Sequence, residues 1–533
     1  MPSTKSKSNA AACPLSSPSP SVADVKSQLQ KAVDDAVAFC LDDSADKPKQ
    51  ATFFSFEKGL APFLMAIGRL LIRLFLVHRH AKLDLKPFLE KGTYRVAEKD
   101  AERTLKTAYG DVAYQRAYLA PCKKGIGFHP LDMMLGLTRD ALSPFVIQFV
   151  CALATRMSFG ATRLVCKMAI GWTPAQETIE NAVLGMGRRA APFVEQLKAP
   201  ENDGDVLVIL IDGKCAPTAT DEELKKRRGK RSKHKKGCSC GCQRHRGKGK
   251  RKVRGSKKRR KRGDKSKNGK EVTVVVMFTL KRGEDGKLHG PINKKVWATF
   301  AGRLAGVLWA RSEATKRGFG PETAKTVQIL MDGAKSLRRL MKKHFPNAIL
   351  TLDVYHVVER LWALGRHYHK EGSNELQTFV EDLKEYVYSG RVSALVKKLK
   401  RMLKAEPRTG PGTKGRRTGL ATLIGYLRPR LAMMNYAALR KQDLEIGSGQ
   451  VEGAVRHVVG QRLDCGGMRW VREKAEPLLH LRCIMINGDW EAFANWHDNE
   501  CLKQLRERGA VRVLTDQGVP LPRLKKKLAK KAA

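Results

Sequence analysis

Six consecutive apolar residues, Val206 to Ile211, lead directly into Asp212-Gly213, and this run constrains the fold more than any other feature of the chain. A strand alternating apolar and polar residues can leave one face in water, whereas an unbroken apolar run must be covered on both faces. A sheet with helices packed on its sides is the usual solution. Two later segments read the same way: Val327 to Met331 ends in Asp332-Gly333, and Ala348 to Leu352 ends in Asp353. Between them, Val272 to Leu280 is rich in β-branched residues, and Val296 to Phe300 reads as a further strand. Ala301 to Arg317 and Ala334 to Lys343 have helical patterns. The expected order is three strands, then helix, strand, helix, strand.

The rest of the chain divides around this core. Residues 1–50 begin as a Ser, Pro and Lys tail, become weakly helical around Val25 to Leu41, and are expected to be flexible. Residues 51–200 read as a mainly helical region, with a buried helix over Phe53 to Val77 and a small hairpin turning at Gly110-Asp111. Helix starts at Ser143-Pro144, Ser158 and Thr173-Pro174 give this region a candidate helix-turn-helix. The other reading is a plain helical packing domain, which Glu177 and Glu180 on the third helix favour over contact with base edges. Residues 201–359 form the first part of the core, residues 360–442 a helical insertion, residues 443–500 the last part of the core, and residues 501–533 a basic tail. Ser448 is placed to cap a helix carrying Glu452.

Lys and Arg number 102 against 52 Asp and Glu, a net charge of +50. That excess calls for a polyanionic partner, and DNA, RNA or an anionic membrane would each satisfy it. The longest apolar stretch contains Arg69 and Arg73, costly at a bilayer centre, and the N-terminus lacks a signal-type apolar segment. A cytoplasmic nucleic-acid partner is therefore expected, with no membrane. Much of the charge lies in residues 222–270, a Lys, Arg, Gly and Ser segment unable to bury a core. Such a loop binds phosphates through counterion release without reading sequence.

Acids beyond the carboxyl ends of strands in an open α/β sheet are where reactive groups gather. Phosphodiester transfer with a pair of Mg²⁺ or Mn²⁺ ions needs several carboxylates, because these hard cations take oxygen ligands and charge compensation. Asp212 and Asp332 fit that placement, although Asp-Gly is also a common turn dipeptide. Within the basic loop, Cys238, Cys240, Cys242 and His245 supply enough ligands for one tetrahedral zinc. Their Cys-x-Cys spacing departs from the usual Cys-x-x-Cys pairs. The competing reading is a cationic loop with accessible thiols.

Longer strings narrow the choice: Asp332-Gly-Ala-Lys-Ser-Leu, Phe345-Pro-Asn-Ala348, Leu352-Asp-Val-Tyr-His-Val-Val-Glu359, Gly447-Ser-Gly-Gln-Val-Glu452, Gln461-Arg462 and Gly466-Gly-Met-Arg-Trp470. With Pro130-Leu-Asp132 and Leu135-Gly-Leu137, they resemble the ISKra-type insertion-sequence transposases of the mutator-like DDE group. The resemblance spans most of the chain, is strongest from Val327 to Leu481, and is poorest in the basic loop. It implies a ribonuclease H-like catalytic core, whose strand order matches the one expected above, and DNA cleavage and strand transfer by Asp212, Asp332 and Glu452 on two Mg²⁺ ions. It also implies double-stranded DNA as partner and a homo-oligomer that pairs two ends. Asp353 and His356 match an accompanying Asp-x-x-His motif with a supporting role, and Asp353 competes with Asp332 as second acid. Glu359 and Glu445 are rivals to Glu452 that read better as solvated helix charges. Arg456, four residues after Glu452, would orient that carboxylate or hold a phosphate. Trp470 reads better as a partly buried core residue than as a platform for an unpaired base.

Overall fold

In the computed structural model the run Val206 to Ile211 lies in the middle strand of a five-stranded mixed sheet. The structure describes residues 20–41, 52–90, 92–219, 269–465 and 468–508. These form two compact units: residues 1–150, 159–179 and 494–533 belong to the first, and residues 151–158 and 180–493 to the second.

The first unit is built on a hairpin of β1 (Tyr94–Thr107) and β2 (Gly110–Pro121). It is larger than the short hairpin expected, and it turns at Ala108-Tyr109, with Gly110 already paired to Thr107. Helices α1 (Val22–Leu41) and α2 (Phe53–Ala81) pack together, the ring of Phe39 lying 5.0 Å from that of Phe63. The weak helix expected around Val25 to Leu41 is an ordered helix over residues 22–41. The expectation of a buried helix over Phe53 to Val77 is also corrected: only Gly68 and Leu76 of α2 are buried, and Phe53, Phe54, Leu64, Leu71 and Phe75 are exposed. α1 and the hairpin pack against the helix but leave these apolar residues uncovered. It is long and apolar enough to cross a membrane. Leu76 joins Leu105, Val112, Tyr114, Leu131 and Leu137 in one apolar cluster. Beside it, after α3 (Lys86–Leu89), Asp132 of α4 (Pro130–Met134) is buried, accepts from Arg103 at 2.8 Å and Tyr114 at 2.6 Å, and pairs with Arg116. The Pro130-Leu-Asp132 string is therefore a structural clasp between β1, β2 and α4. Along the chain, α5 (Pro144–Arg156) and α7 (Gln176–Gly187) are each divided between the two units, α6 (Phe159–Ile170) belongs to the first and α8 (Ala190–Gln196) to the second. Ser143 caps α5 by accepting from the Val146 amide, and Gly171 follows α6 at φ +73°.

In the second unit the sheet comprises β3 (Val206–Ala216), β4 (Lys270–Arg282), β5 (Leu288–Thr299), β6 (Thr326–Met331) and β7 (Ile349–Leu352), in the order β5-β4-β3-β6-β7. β3 pairs antiparallel with β4 and parallel with β6, β4 pairs antiparallel with β5, and β6 pairs parallel with β7. Burial on both faces is borne out: every residue from Val272 to Leu280 and from Val206 to Ile211 is buried. Helix α9 (Arg303–Lys316) packs on β4 and β5, Gly306 allowing its backbone to approach Thr273 and Val275. α10 (Lys335–His344) links β6 to β7, and α11 (Val354–Gly365), α12 (Asn374–Tyr388), α13 (Val392–Ala405), α14 (Thr413–Leu427) and α15 (Tyr436–Lys441) form the helical block. α16 (Gly449–Val455) packs on β3 and β4, and α17 (Arg472–Ile486) packs on β5. The last helix, α18 (Trp490–Arg508), includes residues 501–508 of the expected basic tail.

β5 is an edge strand, and its open polar groups are covered. The Asn487 side chain accepts from the Val296 amide at 2.8 Å and donates to the Val296 carbonyl at 3.1 Å, imitating a sixth strand. At the foot of the sheet the Arg317 side chain is fully buried and makes two 2.6 Å bonds to Asp203, which also accepts from Thr279 at 2.5 Å. Burial alone would raise the Asp203 pKa, but the hydrogen bonds from Arg317 and Thr279 outweigh it and hold the carboxyl below its ordinary value. A depressed carboxylate pKa contributes stability at pH values above the unfolded value of about 4, and that stability is lost as pH falls through the folded value. Asp203→Ala, which strands the buried guanidinium, is expected to cost about 3–5 kcal/mol at pH 7 in urea unfolding. The difference from the parent should shrink on acidification below pH of about 4.

Candidate active site

The sheet register sets three acids side by side. β3 and β6 run parallel with Ile211 beside Met331, and β6 and β7 with Met331 beside Leu352. The next residue in each strand direction is Asp212, Asp332 and Asp353, so the three occupy one row, with neighbouring strands about 4.8 Å apart. One detail departs from expectation. β3 does not end at Asp212 but continues to Ala216, with Asp212 paired to Val274 of β4. Side-chain alternation therefore places Asp212 on the sheet face opposite Thr273 and Val275, the residues that α9 covers.

The Asp332 turn is held by the helical block. Asp332 accepts from the Ala334 amide at 2.8 Å, its carbonyl accepts from the Tyr426 hydroxyl at 3.1 Å, and Arg430 donates to the Gly333 carbonyl at 2.9 Å. Gly333 has φ +75°, and a Cβ there would lie 2.5 Å from Arg430 Nε and 2.6 Å from Leu352. Both the left-handed backbone and the close approach require glycine. Arg360 and Arg430 stack on the Tyr426 ring, their guanidinium carbons 3.7 and 4.3 Å from its centroid. These contacts were not foreseen from sequence, since Tyr426 and Arg430 lie nearly a hundred residues beyond Asp332 and match no motif.

Asp353 is almost wholly buried, and hydrogen bonds engage both of its oxygens. Oδ1 accepts from the amides of Tyr355 at 3.0 Å and Ser448 at 3.2 Å, and Oδ2 accepts from the Ser448 hydroxyl. His356 Nε2 lies 3.8 Å from Oδ2. Ser448 does not cap α16 through its side chain as expected, because its hydroxyl is committed to Asp353. Asp353 thereby fastens the start of α16 to the end of β7.

Four residues on, Glu452 is exposed, and its side chain makes no hydrogen bond or ion pair among the described residues. It forms no pair with Arg456, although the Arg456 amide still donates to the Glu452 carbonyl before the helix widens into a π turn (Arg456–Gly460). Asp212 and Glu452 share one electrostatic neighbourhood. Partial burial raises the Asp212 pKa, and the charges of Asp332 and Asp353 raise it further, against the effect of His356. Desolvation also raises Glu452, followed by repulsion from Asp353, Glu359 and Asp212. Arg303, which pairs with Glu271 at 2.8 Å, also feels Asp332 and Asp212 and is a cation at this acidic site that sequence reading missed. Glu359 is exposed beside His356. Glu445 precedes α16 and is partly buried, which raises its pKa, so it is not a solvated helix charge. Trp470 donates to the Leu463 carbonyl at 3.1 Å and carries the Arg462 guanidinium over its ring.

The donor set fits a hard divalent cation in kind: all oxygen, with the pKa values of Asp212 and Glu452 raised first by burial and then by the charge of neighbouring acids. Among the described residues, however, no three His, Cys, Asp or Glu side chains are drawn together closely enough to hold one ion. Cys238, Cys240, Cys242 and His245, together with nearly all of the basic loop, lie outside the described residues. The strength of the Asp353 clasp can be measured directly. Ser448→Ala leaves Asp353 Oδ2 buried without its hydroxyl donor, at an expected cost of about 1–3 kcal/mol in urea unfolding. Hydrogen exchange should accelerate in α16 ahead of the sheet.

No family model and no curated protein matches the sequence. Among solved structures, the Drosophila P element transposase strand transfer complex aligns over 67% of this chain and 95% of its own, at 11% identity and a TM-score of 0.28, an overlap too loose to carry an argument.

Proposed function

We propose that this chain is a DDE transposase of the ISKra type, a metal-dependent enzyme that cuts and joins DNA to move an insertion sequence. The observation that carries the reading is the row of Asp212, Asp332 and Asp353 across three neighbouring strands, with Glu452 held against it by the Asp353–Ser448 clasp. Numbered within the sheet, the strand order is 3-2-1-4-5 with only the second strand antiparallel. That order supports a ribonuclease H-like core. The net charge of +50 supports a nucleic-acid substrate.

In this reading Asp212, Asp332 and Glu452 hold two Mg²⁺ or Mn²⁺ ions. When bound, such ions supply an activated nucleophile and charge compensation on the phosphate oxygens. The chain's own residues do the positioning. Asp353, with its oxygens already engaged, orients α16 and leaves Asp332 as the second acid. The Tyr426 and Arg430 contacts fix the Asp332 turn, so the helical block serves as a brace for the site. Arg303, paired with Glu271 and within electrostatic reach of Asp332 and Asp212, would be a cation available to a phosphate. Pairing of two DNA ends calls for a homo-oligomer on DNA.

The test is incubation of purified protein and Mg²⁺ or Mn²⁺ with DNA carrying the sequences that flank its own gene. Cleaved and joined products are expected, with Asp212→Ala, Asp332→Ala and Glu452→Gln each reducing both to background while DNA affinity persists. Cleavage undiminished by Asp212→Ala would overturn the assignment. Cleavage without joined products would make the chain a nuclease, and binding without cleavage on any substrate would make it a nucleic-acid-binding protein.

A further inference from the structure

A cavity of about 730 Å³ opens within the second unit along α16, lined by Gly449, Gln450, Gly453 and Ala454 on either side of Glu452. Its size falls within the roughly 300–1,000 Å³ range of small-ligand sites. Its charge is one-sided. Arg156, Lys294 and Arg482 line it together with His457, and among the described residues no carboxylate does. The buried Arg482 donates to the carbonyls of Thr155, His457 and Val458, neutral acceptors that leave its charge uncompensated. Burial lowers the pKa of Arg482, with Arg156 adding repulsion, and burial lowers that of Lys294, so an anion in the cavity would favour the charged forms of both Arg482 and Lys294. The amides of Gln450 and Gln461 add neutral polar groups, and Val296, Ala454, Met485 and Ile486 give the lining an apolar part. Nothing lies within 4 Å of a Cβ built on Gly449 or Gly453, so the α16 backbone is open to close approach.

An anion with an apolar planar body satisfies both halves of this lining. We infer that the cavity receives one unpaired nucleotide of a DNA strand, its phosphate on Arg156 and Lys294 and its base against Met485 and Ile486. A base paired in a duplex presents only its edge and cannot enter. That the strand is the one being cut rests on the function proposed above, but the nucleotide site itself does not. Because the cavity borders the helix that carries Glu452, occupancy would hold a strand beside the acids.

The experiment is photo-crosslinking in EDTA, where metal-dependent cleavage is silent. The probe is a single strand of about 12 nucleotides bearing one 5-iododeoxyuridine, near the span of known single-strand sites. Crosslinks mapped by peptide mass spectrometry are expected at His457 or Met485, and to fall about fivefold or more when the probe is annealed to its complement. Gly453→Leu fills the cavity from an open helical position that tolerates a side chain, and Lys294→Glu reverses an exposed charge. Each should reduce these crosslinks by a similar factor, with an unchanged melting temperature and overall DNA binding maintained by the basic segments. Crosslinks that persist in both variants, or that form equally from duplex, overturn the inference. Displacement by excess thymidine 5′-monophosphate with no preference for a strand would make this a free-nucleotide site and also overturn it. Asp212→Ala is expected to leave the crosslinks intact. Loss of cleavage and loss of this site can therefore be told apart.

Discussion

The candidate site depends on one buried carboxylate. Asp353 sits at the end of β7 with almost no exposure and accepts three hydrogen bonds, two of them from Ser448. A carboxylate in that position would be costly if any donor were missing, so its burial and the placement of α16 are one constraint rather than two. Glu452 is nearly a hundred residues away in sequence, and through this clasp its helix lies against the sheet. The same bonds leave Asp353 with little capacity for another ligand, which separates its role from that of Asp332 one strand away.

The row of acids is a consequence of parallel pairing. Parallel strands in register carry equivalent residues on the same face, so acids that each follow an apolar run arrive as neighbours. The pKa values of Asp212 and Glu452 are raised chiefly by burial, and the proximity of the acids adds to it. The fold meets this added repulsion partly with Arg303 and His356 and leaves the remainder uncompensated. Structural acids elsewhere behave in the opposite way. Asp203 is drawn down by a bidentate arginine, and Asp132 is clasped by two arginines and a tyrosine. Negative charge without an ion-pair partner thus gathers at the Asp212 row, as positive charge gathers in the cavity along α16.

Much of this was legible in the chain itself. Unbroken apolar runs dictated strands buried on both faces, because water must be kept from both sides of such a run, and the strand and helix order from β3 to β7 followed. Less legible were features with no local signature. An apolar helix reads as buried whether or not partners exist to cover it, so the exposure of α2 could not be anticipated. The turn at Gly110 was displaced because the hairpin ladder continues one pair further than the dipeptide suggests.

Local pattern therefore determined the secondary elements, the mixed α/β class and the identity of the strand-end acids, since these depend on periodicity and on residues a few positions apart. Only the tertiary structure decided that Ser448 serves Asp353 instead of capping its own helix, that Tyr426 and Arg430 brace the Asp332 turn, and that Arg156, Lys294 and Arg482 surround one cavity. Those are pairings between distant segments, and hydrogen-bond geometry and shared burial select them in three dimensions, where spacing along the chain carries no information.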